Sequence, residues 1–169
     1  MKITKLYDVK TPYRATPQSA GIDLYIPEYS EEYENTLLLK NGKYKDIFIF
    51  SKPPIIQLRG GGKVFLPLGI KVKVPKNYAL IAFNKSGVSW NQEVIRLSSV
   101  IDEDYRGELS VTLHNYGTNP QELQFGQRII QAILLPVFYD TVEEISEEEY
   151  TENDVTERGA GGFGSTGVE

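Results

Sequence analysis

The chain has no cysteine in 169 residues and a single histidine, His114. Without thiols there is neither a disulfide framework nor a cysteine-based zinc site, and one imidazole makes no histidine cluster. Any metal bound here has to be a hard cation taken by oxygen ligands. Long apolar runs are missing too. The opening "MKITKLYDVK" carries no segment suited to a secretion signal, and no later stretch is long enough to cross a bilayer as a helix. The expectation is a soluble, cytoplasmic protein, or one working inside a host cell if a virus encodes it. A basic excess is also absent. Net charge is −5, and eight of the 23 acids fall between Glu143 and Glu157, where there is no lysine or arginine. The rest keeps 18 basic against 15 acidic residues. So slight a positive balance argues against a duplex nucleic-acid binder. It suits a small anionic ligand held by a few placed cations.

No segment sustains a helical period over three turns; what is present alternates with period two. In "KVFLPLGIKVKVP", Val64, Leu66, Leu68, Ile70, Val72 and Val74 face one way, and Gly69, Lys71 and Lys73 the other. "GELSVTLHNYG" repeats the pattern with Leu109, Val111 and Leu113 inward. "NYALIAFN" and "RIIQAILLPVF" are more continuously apolar, as strands covered on both faces are. Turn signals separate them at Pro75-Lys76-Asn77, Asn115-Tyr116-Gly117 and Asn119-Pro120. Many short strands with frequent turns predict an all-β barrel or jelly roll over residues 1–142. Residues 28–54 stand apart, polar at first and then apolar around Asn41-Gly42, a pair favoured in type I′ turns; the stretch is read as an inserted β-hairpin. Residues 143–157 read as an acidic linker, and 158–169 as a glycine-rich arm.

Five stretches resist explanation as plain strand or turn: "SAGIDL" (19–24), "NKSGVS" (84–89), "VIDEDYRGEL" (100–109), "GQRIIQ" (126–131) and "RGAGGFGSTG" (158–167). Each alone has a bland reading as a turn, a solvated hairpin tip or a disordered terminus. Together they hold complementary chemistry. "KSG" offers a cation, a hydroxyl and a glycine N–H that an anion can approach, the elements of a phosphate nest. The tail adds Arg158, Ser165 and Thr166, and Phe163 has no core to join, which leaves its ring for stacking. Asp23 and Asp102 are carboxylates suited to a hydrated magnesium ion and a reacting water. Phosphates, a metal, a base and a stacking ring describe a nucleotide phosphohydrolase.

With these five stretches in this order, the chain resembles the trimeric deoxyuridine triphosphatases. The resemblance implies a distorted jelly-roll (β-clip) subunit, a homotrimer, and active sites assembled between subunits with the C-terminal arm closing over a neighbour's site. It implies dUTP as substrate, cut to dUMP and pyrophosphate by water attacking the α-phosphorus. Asp102 matches the base that activates this water. Tyr105 matches the ring that packs on deoxyribose, and Ser99, Val100 and Ile101 the hairpin that reads the uracil edge. Lys85, Ser86, Gly87 and Gln131 match phosphate contacts, and Asp23 the carboxylate that holds Mg2+ through water. Arg158, Ser165 and Thr166 are implied to grip the terminal phosphate while Phe163, followed by Gly164, stacks on uracil. The assignment fits general chemistry. An aspartate in water is an anion at neutral pH and can take a proton. Closure of an arm excludes bulk water and strengthens each electrostatic contact.

Three departures from the family pattern matter. Lys85 stands where arginine is usual and lacks the planar fork that grips two oxygens. Ser99 replaces a glycine, and its Cβ restricts the backbone if φ > 0 is needed there. The 28–54 excursion lengthens the span between the first two motifs; it is decoration, a surface for a protein partner, or part of the trimer contact. Two rivals remain. A dCTP deaminase of the same fold needs a glutamate on the strand after the hairpin, where this chain has Thr112. A nucleotide-switched regulatory binder would bind the nucleotide without turning it over.

Overall fold

Strand alternation and turn chemistry produce the expected architecture in most of the chain. A computed structural model describes residues 1–42, 46–152, 156–157 and 159–161. Two units are distinguished, Met1–Phe138 and Tyr139–Glu169. The first contains β1 (Lys2–Lys5), β2 (Ile22–Tyr25), α1 (Glu31–Asn41), β3 (Ile47–Ser51), β4 (Pro54–Leu58), β5 (Lys63–Lys73) and β6 (Tyr78–Asn84). It continues with α2 (Ser86–Gln92), β7 (Val94–Arg96), β8 (Val100–Ile101), β9 (Glu108–Asn115), β10 (Gln121–Gln124) and β11 (Arg128–Pro136). The strands form antiparallel sheets in the orders β1-β5-β9-β7, β2-β11-β6-β8 and β10-β4-β3. The fold is all-β, of the jelly-roll class.

The two four-stranded sheets share one core. The six alternating apolar residues from Val64 to Val74 are all buried, as are Leu109, Val111 and Leu113 of β9. They join Leu24, Ala82 and Ile130 of the β2-β11-β6 sheet in a single apolar cluster. Gly69 is buried rather than outward. It takes φ +68° where the β5–β9 register shifts, between Pro67 and Lys71, and a bulge of this kind breaks strict alternation.

The inserted hairpin around Asn41-Gly42 is not what forms. Residues 31–41 are helical, and Gly42 has φ −53°, so no I′ turn exists there. Ser30 caps the helix, its Oγ accepting from the N–H of Tyr33 at 3.1 Å. Glu31, Glu32 and Glu34 sit at the positive end of the helix dipole, with Lys40 in the last turn. The helix buries a narrow stripe of Tyr33, Leu37 and Asn41 at spacings of four. Such a stripe is too thin to show as a period in sequence. Asn41 decides the outcome. Its Nδ2 donates to Phe65 O and its Oδ1 accepts from Phe65 N, at 2.8 and 2.7 Å, so one side chain serves Phe65 as a strand neighbour would. A hairpin does occur in this stretch, but later, between β3 and β4.

In the second unit the stretch read as a plain linker contains α3 (Glu147–Thr151), capped by Ser146, whose Oγ accepts from the N–H of Glu149 at 3.2 Å. Three glutamates in its first turn suit that end of a helix. No helix among the described residues is long and apolar enough to cross a membrane.

Candidate active site

β7 pairs with β9 and β8 with β6, so the stretch between them, residues 97–99, crosses from one sheet to the other, and β8 leads into the 102–107 loop. This crossing is pinned on both sides: Ser98 Oγ accepts from Thr112 N at 3.2 Å, and Ser99 O accepts from Ala82 N at 2.8 Å. Ser99 is not among the non-glycine residues with positive φ, which in the described chain are Asn77 and Glu93. Its Cβ therefore costs this stretch no backbone strain. Beneath lies a cavity of about 270 Å³, lined by Ser99, Val100, Ile101, Asp102 and Tyr105 and floored by core residues of β2, β6 and β11. That volume lies near the small end for ligand sites. Thr112 also lines it, so the position the deaminase reading needs as glutamate carries a hydroxyl that cannot shuttle protons in that reaction.

The loop holds its shape through its own main chain. Tyr105 OH donates to Glu108 O at 2.8 Å, and Arg106 Nη1 donates to the carbonyls of Glu103 and Tyr105 at 2.6 and 2.9 Å. A Cβ on Gly107 would lie 2.3 Å from the Tyr105 hydroxyl. The glycine is therefore what allows the ring to fold back over the loop, a role the motif alone did not assign. Asp102 is exposed at the cavity edge. Glu108, at the start of β9, has its carboxyl pushed up from the usual range by burial, an effect opposed by the Gly69 N–H it accepts at 2.9 Å.

A second group of predicted residues gathers around Asp23. Lys85 Nζ lies 2.9 Å from its Oδ1 and Arg128 Nη1 3.3 Å from its Oδ2. Gln131 pairs with Asp23 across β2 and β11, and its Nε2 donates to Asn84 O at 3.1 Å. A Cβ on Gly21 would lie 2.7 Å from Gln131 Oε1, so this glycine makes room for the amide. Ser86 and Gly87 open α2 beside Lys85 and are exposed. The residues that sequence reasoning missed here are Arg128 and Gly21. Arg128 lay within a quoted motif, but only the strand register shows that it meets Asp23.

Asp23, expected to hold magnesium through water, meets Lys85 through one carboxylate oxygen and Arg128 through the other, and its side chain is 6% exposed. No group of three or more potential metal-ligating acids and histidines occurs among the described residues. In this chain Asp23 anchors Lys85 and Arg128. Arg158, Phe163, Gly164, Ser165 and Thr166 lie outside the described residues.

The two groups lie on opposite faces of one sheet. Neighbouring residues on a strand point to opposite sides. Leu24, Ala82 and Ile130 face the cavity, whereas Asp23, Phe83 and Gln131 face away from it. A carboxylate at the edge of a partly open hollow, and on the other face an aspartate that gathers a lysine, an arginine and an amide, suit a β-fold protein that handles nucleoside phosphates.

Comparison with known proteins names the family. The dUTPase family model matches residues 49–167, starting past α1. The deoxyuridine 5'-triphosphate nucleotidohydrolase of Anaplasma marginale is 30% identical over 99% of this chain and 96% of its own length. The protein of that name from a Wolbachia of Brugia malayi is 33% identical over 98% and 90%. Among solved structures, the dUTPase of Staphylococcus bacteriophage 80alpha, as a G164S mutant with dUpNHpp, superposes with a TM-score of 0.75 at 19% identity, covering 99% of this chain and 98% of that one. The chain belongs to the dUTPase family.

Proposed function

We propose that the chain hydrolyses dUTP to dUMP and pyrophosphate, with Asp102 as the base for the attacking water and the Asp23 group as the phosphate grip. dUTP hydrolysis is the family's reaction, and it keeps uracil out of DNA while supplying dUMP for thymidylate synthesis. The observation that carries the residue assignment is the joint lining of one small cavity by Ser99, Val100, Ile101, Asp102 and Tyr105. The base enters this cavity against the main chain of Ser99, Val100 and Ile101, with Tyr105 at the sugar. An exposed carboxylate at the cavity edge can orient a water and take its proton, a contribution of roughly 10²–10⁴-fold. Lys85, Ser86, Gly87 and Gln131 neutralise and align the phosphate chain, which sets the line of attack. Arg158, Ser165, Thr166 and Phe163 of the arm close the site. Asp23 would hold magnesium through water, and the ion would neutralise charge on the phosphate chain.

The working unit is a homotrimer with the nucleotide bound between chains. Two observations support this. The cavity and the cationic row lie on opposite faces of one sheet, so a single chain does not offer both to one nucleotide. Large apolar side chains also stand exposed at Trp90, Val100 and Phe138, which favours burial against another chain. The excursion carries its own apolar surface at Leu39, Phe48 and Phe50 and remains the proposed site for a protein partner.

The test is to incubate the protein with Mg2+ and each deoxynucleoside triphosphate in turn and measure pyrophosphate. Release from dUTP well above dTTP and dCTP is expected. Comparable cleavage of dTTP would refute the base-reading role of Ser99 to Ile101, and binding without turnover would favour the regulatory reading.

A further inference from the structure

Gln131 has a neighbour on the side away from Asp23. Cross-strand partners share a face of an antiparallel sheet, so Asp23, Gln131 and Phe83 form a row across β2, β11 and β6. The guanidinium carbon of Arg96 lies 5.9 Å from the centroid of the Phe83 ring. A cation therefore stands over Phe83, whose strand lies about one spacing, ~5 Å, from that of Gln131. The main chain of Arg96 is fixed in place: its N–H donates to Asn84 Oδ1 at 2.8 Å. The carbonyl of the same Asn84 accepts from Gln131 Nε2, so one residue ties Arg96 and Gln131 together immediately before Lys85.

The three cations near this row differ in state. Lys85 and Arg128 share the carboxylate of Asp23. Arg96 makes no ion pair among the described residues. Its Nη1 reaches Ser98 O only at 3.5 Å, and its Nε is buried without a hydrogen-bond partner. Asp23 is one negative charge set against two positive ones, so it does not neutralise the row. Arg96 contributes a further positive charge, and its guanidinium is committed to no carboxylate among the described residues. The Phe83 face beneath it holds the guanidinium without using any of its five N–H groups.

We propose that Arg96 binds the phosphate chain of the substrate, supplying beside Gln131 the planar two-oxygen grip that Lys85 lacks. The ligand class is an oligophosphate rather than the base or sugar, because the row lies on the sheet face away from the cavity. This rests on the reading of Gln131 as a phosphate contact.

The experiment compares full-length wild type, Arg96→Lys and Arg96→Gln by kcat and KM for dUTP, by inhibition constants for inorganic tripolyphosphate and deoxyuridine, and by melting temperature. Loss of charge-assisted hydrogen bonds should raise the KM for dUTP and the tripolyphosphate constant about 10- to 100-fold in Arg96→Gln. Deoxyuridine, which has no phosphate, should bind as before. Arg96→Lys keeps the charge without the fork and should fall between. Unchanged tripolyphosphate binding overturns the proposal, as does an equal weakening of deoxyuridine, which would mark Arg96 as a support of the 97–101 stretch. If Arg96→Gln melts early, Arg96→Lys decides by the same pair of constants. If the wild type fails to cleave dUTP, the proposed function fails, while tripolyphosphate binding still reads Arg96 independently.

Discussion

Gly87 occupies the first turn of α2, and a methyl group added there would meet nothing closer than Asn91 Nδ2, 4.0 Å away. The fold therefore has no need for glycine at this position. Alanine is favoured over glycine by about 0.8–1 kcal/mol inside a helix, and less in a first turn, so Gly87→Ala should stabilise by about 0.5 kcal/mol. For a chain of this size that is a rise of roughly 1–2 °C in Tm. Phosphate binding should move the other way. The new methyl would occupy the space through which a phosphate oxygen approaches the N–H groups at the start of α2. Losing one charge-assisted hydrogen bond costs about 1.5–3 kcal/mol, or a KM for dUTP raised about 10- to 100-fold. Scanning calorimetry and steady-state pyrophosphate release on the same preparation provide both numbers, and the dUTP-to-dTTP preference serves as a control that should not change. A variant with the higher Tm and an unchanged KM would refute the phosphate role of this turn.

Other perturbations address other parts of the molecule. Asp102→Asn should leave dUTP binding largely intact and lower kcat by at least ~10²-fold; full activity in a single-turnover assay would remove Asp102 as the base. Asn41→Ala strands both main-chain groups of Phe65 and should cost about 2–4 kcal/mol, read as a fall in urea midpoint; a change below about 0.5 kcal/mol would contradict the strand-substitute role. Glu108 has a folded pKa above the unfolded one, so its contribution is fully present below the ordinary value of 4.5 and is lost as pH rises through the raised value. Glu108→Gln should therefore gain stability relative to wild type across that interval, and parallel stability–pH curves would contradict the shift. Removing residues 158–169 should cripple hydrolysis while Tm stays within a degree or two; an unchanged rate would defeat the closing role of the arm.

The sequence was most legible where a single period governs a strand. β5 and β9 could be read residue by residue, apart from the bulge at Gly69, because alternation reports which face is buried. α1 could not be. Its buried stripe is one residue wide and three long, and the residue that holds it is Asn41, a polar side chain whose value lies in pairing with Phe65, 24 positions away. Asn-Gly carries the same local signal whether it turns a hairpin or ends a helix; the tertiary partner decides. The site was legible as chemistry and not as geometry. Quoted motifs supplied Asp102, Tyr105, Lys85 and Gln131, but no motif states that Asp23, Gln131 and Phe83 align across three strands or that Asp23 is already occupied by two cations. Those facts depend on register, which a linear sequence does not display.

The opposite-face arrangement has a consequence for how activity is counted. Under the two-chain reading, a lone subunit owns half of two sites and the whole of none, so specific activity measures assembly as well as chemistry. It should fall on dilution below the dissociation constant of the oligomer. Two inactive variants, one lacking Asp102 and one lacking Gln131, should also regain part of the rate when refolded together. Some sites in the mixed assemblies then draw an intact cavity from one chain and an intact cationic row from another.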